Sequence, residues 1–282
     1  MRGQMQPVAA VSRSRPVALT IAGSDSSGGA GIVADLKTFE AHGVWGTVAL
    51  TAVTAQNTLG VQAVETLTPE MVRAQIASVV SDLGVDAAKT GMLGSAEVVE
   101  EVARTIAELG VRPLVVDPVM VSSTGGRLLD PDAVDAVVAL LLPRAAVLTP
   151  NLAETSVLVG FEVSDRAGME RAAQVLADLG PQVVLVKGGH LAGDDSPDCM
   201  LVAGEGPVWL EGPRVPDRGA HGSGCVLAAA ITAGLARGME PADACVAAKR
   251  FVARAIEAGP VLGEGVVPVE PAWEARQTEG IP

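Results

Sequence analysis

From Val17 onward, short runs of β-branched and apolar residues alternate with longer stretches whose apolar positions recur every three or four residues. The run VALTI (17–21) predicts a strand, followed by a glycine-rich turn and the amphipathic stretch AGIVADLKTFEAHG (30–43). A strand is expected over 47–55, an extended segment over VQAVETL (61–67), and a helix from Pro69 to Leu83. PLVVDPV (113–119), AAVLTPN (145–151) and VVLVKGG (183–189) predict further strands, each flanked by a helical segment. Such alternation predicts an α/β fold: a doubly wound, mostly parallel sheet with helices on both faces. DCMLVAGEGPVWLEG (198–212) breaks the rhythm, and its two apolar runs around Gly204-Glu205-Gly206 predict a β-hairpin at one sheet edge. No internal repeat or low-complexity linker interrupts the pattern. One domain is expected over 17–282, preceded by an arm over 1–16.

Composition sharpens this picture. Of the 282 residues 49% are hydrophobic, yet there is no tyrosine and only three Phe and three Trp, so Ala, Val and Leu must build the core. That suits buried parallel strands under closely packed helices. The net charge of −13, with no long cluster of Lys and Arg, argues against a nucleic-acid partner. Three cysteines without metal-ligand spacing argue against a disulfide framework or zinc site and for a reducing cytoplasmic setting. No uninterrupted apolar stretch reaches the ~18 residues of a membrane span. Met1–Pro16 also lacks the continuous apolar region of a signal peptide.

In open α/β sheets the ligand site lies outside the carboxyl ends of the strands. The unusual polar residues fall at such ends. Strand 17–21 runs into GSDSSGGAG (23–31), which is neither a Walker P-loop nor a dinucleotide GxGxxG but has glycines that let backbone approach a ligand. Strand 47–55 ends at Gln56 and Asn57; others deliver Asp117, Thr149-Pro150-Asn151 and Lys187. Asp117 suits either the cap of a turn or a group beside phosphate and metal-bound water. Asn151 and Glu154 have the spacing of a capping box, and the same geometry suits a magnesium–water site. Lys187, closing an apolar strand, is costly there unless it reaches an anion. His190 and His221 are candidates for ligand contacts or plain loop histidines; His42 is expected to cap a helix, and Cys199 and Cys245 to fill the core.

Residues 220–226 read AHGSGCV ahead of small and apolar residues that predict a helix over 226–237. The unpaired N–H groups of a helix N-terminus favour an anion and would stabilise a thiolate at Cys225. The alternative is a small packing residue behind a tight turn.

The segment ALTIAGSDSSGGAGIVADLKTFEAHGVWGTVALTAVTAQNTLGVQ (18–62) closely resembles the N-terminal part of bacterial hydroxymethylpyrimidine/phosphomethylpyrimidine kinases, thiamine-biosynthesis enzymes of the ribokinase-like superfamily. KTGML (89–93), VVDPVM (115–120), LTPNLAE (148–154), VLVKGGH (184–190) and HGSGC (221–225) resemble that family in order. The resemblance implies a ribokinase-like three-layer sandwich that phosphorylates 4-amino-5-hydroxymethyl-2-methylpyrimidine and then its monophosphate, using ATP and Mg²⁺. It implies that Gly23, Gln56 and Met92 line the pyrimidine pocket. Asp117, Asn151, Glu154 and Lys187 would surround the ATP phosphates and Mg²⁺, with Glu154 and Asp117 toward the metal. Gly222, Ser223 and Gly224 would form the anion hole, and Cys225 would be the catalytic base assisted by Lys187. A homodimer is expected.

The chain departs from the family's usual Asn-Thr-His-Gly-Thr-Gly-Cys at Gly219, Ala220 and Ser223, and has Ser123 where lysine is common. Its 263–271 segment matches the usual ending only in part. A pyridoxal kinase and a catalytically silent pyrimidine-binding protein of the same fold are the rival readings.

Overall fold

The computed structural model describes residues 13–120, 131–189, 191, 193–215 and 220–275; His190, Ser123, Gly219 and residues 1–12 of the expected arm lie outside them. The strands are β1 (Val17–Ala22), β2 (Trp45–Leu50), β3 (Ala52–Asn57), β4 (Gly60–Thr66), β5 (Ala87–Thr90), β6 (Leu114–Val116), β7 (Val147–Leu148), β8 (Val183–Val186), β9 (Asp198–Val202) and β10 (Pro207–Leu210). The α-helices are α1 (Gly31–Ala41), α2 (Pro69–Asp82), α3 (Ala96–Glu108), α4 (Pro131–Ala136), α5 (Leu152–Val159), α6 (Arg166–Ala177), α7 (Ser223–Ala236) and α8 (Pro241–Glu257).

Eight strands form one sheet in the order β10-β9-β8-β7-β6-β5-β1-β2. The pairings from β8 to β2 are parallel, and the expected β9–β10 hairpin adds two antiparallel pairings at one edge. Alternate residues of each central strand go to opposite faces. Leu19 and Ile21 of β1 join Ile76 and Val99 from α2 and α3 in one core, while Ala18 joins Phe39 of α1 and Ala229 of α7 in another. Helices therefore cover both faces, which gives the three layers. Among the described residues no helix is long and apolar enough to cross a membrane.

The structure corrects several expected boundaries. The strand expected over 47–55 is two. β2 ends at Leu50, and the chain turns at Thr51, whose N–H donates to Ala22 O at 3.0 Å and whose hydroxyl donates to Met92 O at 2.6 Å. β3 then leaves the main sheet and pairs with β4 in a two-stranded ribbon, with a bulge between Ala55 and Gln56. Gln56 thus stands on the ribbon, not at a strand end of the main sheet. The runs 113–119, 145–151 and 183–189 contain shorter strands, because Pro118 and Pro150 have no N–H for a ladder and Gly188-Gly189 weakly support one. The polar residues beyond them remain pinned at the sheet edge. Asp117 N–H donates to Thr90 O (3.2 Å), Thr149 N–H to Val116 O (3.0 Å) and Lys187 N–H to Pro150 O (2.8 Å). His42 caps α1 as expected. The helix placed at 226–237 starts earlier, at Ser223, so Cys225 lies within its first turn.

Candidate active site

The glycine-rich loop is organised by Asp25. Its buried carboxylate accepts the N–H groups of Ser27 and Ala30, both at 2.8 Å, and the Ser27 hydroxyl at 2.7 Å. The loop is stapled to β3: Ser24 Oγ accepts the Thr54 N–H at 3.0 Å, and Ser26 Oγ accepts the Gln56 N–H and donates to the Gln56 carbonyl, both at 2.7 Å. These bonds carry Gln56 to the mouth of the loop. Gly23 leaves the space that a Cβ would fill, and the Met92 methyl occupies it. The residues expected for the pyrimidine pocket are therefore brought to one side of the cleft.

At the other side, Lys187 Nζ lies 3.1 Å from Asp117 Oδ1, which also accepts the Thr149 hydroxyl at 3.1 Å. Asn151 and Glu154 form the reciprocal capping box of α5: Asn151 Oδ1 accepts the Glu154 N–H at 2.9 Å, and Glu154 Oε2 accepts the Asn151 N–H at 2.8 Å. Capping does not exhaust Glu154. Burial raises its carboxyl to about 7, Lys187 pulls it down, and Asp117 pushes it up. Lys187 pairs with Asp117, and Glu154 lies within the electrostatic reach of both; such an oxygen set suits a cation that keeps most of its waters. Among the described residues no group of three or more His, Cys, Asp or Glu could hold a metal by itself. Phosphate oxygens and water would have to complete the sphere.

The raised Glu154 carboxyl has a consequence for stability. A proton retained in the folded protein stabilises it below about 4.5, and this contribution is lost as pH rises through about 7. Glu154→Gln removes the titration, so its melting temperature should gain on wild type as pH is raised across that window. Parallel scans at several pH values measure the difference; a constant difference would contradict the buried-carboxyl assignment.

The N-terminus of α7 lies between these two sides. Gly222, its N-cap, has φ of +83°, and a Cβ there would run into the Gly29 carbonyl. Only glycine fits this close crossing without strain. Ser223, Gly224 and Cys225 follow in the first turn, where backbone N–H groups have no partner four residues back. A Cβ on Gly224 would sit 3.2 Å from Lys187 Nζ and 3.9 Å from Asp117 Oδ2, so the turn faces that ion pair directly. Cys225 is half-buried.

The helix field expected to favour a thiolate at Cys225 meets an opposing effect here. Burial pushes the Cys225 thiol up to about 11, and Asp35 and Asp117 add to the rise; Lys89 and the Gly31 N–H only partly oppose it. Desolvation therefore works against the helix field at this sulfur.

Two side-chain pairs at the site escape a reading of strand ends. His221 Nε2 lies 2.9 Å from Asp25 Oδ2 and 3.4 Å from Gln56 Nε2, joining the α7 lead-in to the glycine-rich loop and the ribbon. The C-terminal segment fixes this junction: His221 N–H donates to Val267 O, Val269 N–H to His221 O, and Val266 N–H to Thr58 O at the ribbon turn. Lys89 of β5 and Asp35 of α1 form the second pair, fully buried. The available signals were the lysine that opens KTGML inside a buried strand and an aspartate on the apolar side of α1.

A cleft at the carboxyl edge of a mostly parallel sheet, with a glycine-bounded helix N-terminus facing a lysine–carboxylate cluster, defines a phosphotransferase of the ribokinase-like class. The family model described as phosphomethylpyrimidine kinase matches residues 25–270, and the chain belongs to that family. It is similar to the hydroxymethylpyrimidine/phosphomethylpyrimidine kinase of Streptomyces coelicolor, 51% identical over 258 residues, covering 92% of this chain and 95% of that one. It is 46% identical to the chloroplastic thiamine biosynthetic bifunctional enzyme of Arabidopsis thaliana, covering 90% of this chain and 49% of that protein. Among solved structures, Staphylococcus aureus pyridoxal kinase in complex with AMP-PCP and pyridoxal superposes with a TM-score of 0.86 at 37% identity, covering 94% of this chain and 96% of that one. The chain's function is accordingly the kinase activity of thiamine biosynthesis on hydroxymethylpyrimidine and phosphomethylpyrimidine.

Proposed function

We propose that both phosphorylations use ATP with Mg²⁺ in the one cleft described above, with Cys225 as the base that takes the hydroxymethyl proton. The observation that supports this most strongly is the convergence of the Gly23–Gln56–Met92 side and the Lys187–Asp117–Glu154 side on the first turn of α7. Gln56 presents donor and acceptor together to the aminopyrimidine edge, and Gly23 and Met92 shape the floor beneath the ring. The acceptor oxygen is thereby held toward the α7 N-terminus. The N–H groups of Gly222, Gly224 and Cys225 at the α7 N-terminus, with Lys187, receive the charge of the transferring phosphoryl group, and Ser223, whose N–H is held by Ala220 O, lines the turn with its hydroxyl. Asn151 holds the start of α5 beside the phosphates.

Asp117 and Glu154 would hold Mg²⁺ through water, and the metal when bound supplies positive charge to the nucleotide phosphates. That positive charge would favour the ionised form of the Glu154 carboxyl. A cytoplasmic homodimer built from one domain over 17–282 completes the proposal. Three free thiols support the reducing setting. The exposed apolar side chains of Trp45, Val53 and Val64 on β2 and the ribbon support self-association.

An ATP-coupled assay with each pyrimidine, with products identified by mass, tests the reading. Mono- and diphosphate should form in succession, and pyridoxal should be the poorer acceptor. Pyridoxal turnover exceeding that of both pyrimidines would favour the pyridoxal-kinase reading, which the likeness to the S. aureus enzyme keeps specific. The catalytically silent reading predicts no product at all.

Gln56 should govern acceptor binding. A buried polar group left unpaired costs about 1–3 kcal/mol, so Gln56→Ala should raise the pyrimidine KM about 5- to 100-fold and leave the KM for ATP nearly unchanged. Steady-state titration of both substrates checks this; an unaltered pyrimidine KM removes Gln56 from the pocket.

A further inference from the structure

The carboxylate of Asp198, at the start of β9, is buried in the sheet and has no part in the roles assigned so far. Its Oδ1 accepts the Gly188 N–H at 2.9 Å, and its Oδ2 lies 2.7 Å from Lys249 Nζ, which reaches in from α8. The same ammonium donates to Ser196 O at 2.5 Å, so it also grips the chain on its approach to β9. Desolvation offsets most of the attraction in a buried pair, and apolar residues of similar volume often serve a core as well. The position of this pair offers a better reason for its presence.

Gly188 is the residue after Lys187. β8 and β9 run antiparallel with Val186 opposite Cys199, and one further step sets Asp198 across from Lys187. The regular strand has ended there, and three bonds fix the turn in its place. Lys187 N–H donates to Pro150 O at 2.8 Å, Gly188 N–H to the Asp198 carboxylate, and Arg214 Nη1 to Gly189 O at 2.5 Å. A backbone N–H is held more firmly by a carboxylate than by a carbonyl. A Cβ on Gly188 would run into the Pro197 carbonyl, so the lead-in to β9 also presses on the turn directly. From this turn the Lys187 side chain reaches Asp117, 3.1 Å away, and the first turn of α7.

Resting on the reading of Lys187 as the cation that receives the transferring phosphoryl group, we propose that Asp198, braced by Lys249, is a positioning residue for Lys187. It acts through the Gly188 N–H and touches no substrate. Its bond sets where β8 releases the chain, and thereby how the Lys187 ammonium is presented to the α7 N-terminus. A catalytic group displaced by about 1 Å can lose about 10²-fold in rate, so a fixed tether at the adjoining peptide has a direct use in the reaction.

The test is a double-mutant cycle in the full-length enzyme, read as kcat/KM for ATP with Mg²⁺ and saturating pyrimidine. Asp198→Ala removes the acceptor and should lower kcat/KM about 10- to 100-fold, with the pyrimidine KM within about twofold of wild type. Asp198→Asn keeps an oxygen for the Gly188 N–H and should stay within about threefold of wild type. In a Lys187→Met background, Asp198→Ala should cost less than about twofold more, because the group it positions is gone. A packing role for Asp198 would lower both backgrounds alike.

Equal losses in both backgrounds, or wild-type kcat/KM in Asp198→Ala while Lys187→Met is impaired, overturn the proposal and leave the reading of Lys187 standing. So does Asp198→Asn as impaired as Asp198→Ala. Wild-type kcat/KM in Lys187→Met sinks that reading, and the proposal with it. Should Asp198→Ala not fold, Lys249→Met takes its place in the cycle. It frees Oδ2 of Asp198 and should lower kcat/KM about 3- to 10-fold, but only where Lys187 is present. No loss, or a loss that persists without Lys187, overturns the proposal.

Discussion

Cys225→Ala should lower kcat by about 10²–10⁴-fold on both pyrimidine acceptors, with ATP affinity close to wild type. Phosphoryl transfer asks little covalent chemistry of the protein, but the attacking hydroxyl must lose its proton as the new bond forms. Cys225 stands in the first turn of α7, beside the N–H groups that would receive the phosphoryl charge. Burial pushes its thiol up to about 11, so the thiolate is a strong base whose share grows as pH rises. The sign of the pH effect follows. Wild-type kcat should climb with pH through the neutral and mildly alkaline range as the thiolate fraction grows, and Cys225→Ala should lose that climb. Cys225→Asp should recover part of the rate, because a carboxylate beside the same N–H groups is also a base. Steady-state kinetics from pH 6 to 9 on all three proteins check both size and sign. Near-normal kcat in the alanine variant would leave Cys225 as a packing residue.

The same residue shows how far a sequence can be followed. AHGSGCV announces a helix N-terminus, and the helix is there, because glycine at 222 and the small residues after it are local causes. The thiol's acidity is not local. It depends on burial under α1 and on Asp35, Lys89 and Asp117, which arrive from distant segments. Asp117, Thr149 and Lys187 were legible as neighbours because each follows an apolar run in an alternating β–α pattern, and parallel pairing puts all such ends on one edge. The capping box of Asn151 and Glu154 was legible from spacing alone. The break at Thr51 was not, since threonine suits a strand and the turn is imposed by bonds to Ala22 and Met92. Nor were Asp25–His221 and Asp35–Lys89, which join positions 196 and 54 residues apart by packing that no periodicity encodes.

Lys187→Met should reduce kcat by about 10²–10³-fold and raise the KM for ATP, the usual cost of removing one preorganised charge from a transferring group. Lys187 closes β8 at the sheet edge, and its ammonium sits between Asp117, Glu154 and the first turn of α7. Its positive charge offsets the repulsion between Asp117 and Glu154. Without it the pull that lowers the Glu154 carboxyl disappears, so Glu154 holds its proton to higher pH and presents less charge to a metal–nucleotide. ATP binding in the variant should therefore weaken more at pH 6.5 than at pH 8, whereas wild type should vary less. Lys187→Arg retains charge but brings a planar fork in place of a compact ammonium, and it should restore binding better than turnover. Isothermal titration with ATP and Mg²⁺ at the two pH values, alongside kcat, separates these effects. If Lys187→Met keeps wild-type kcat at saturating ATP, the ammonium contributes equally to ground state and transition state. Charge stabilisation during transfer then falls to the N–H groups of Gly222, Gly224 and Cys225 alone.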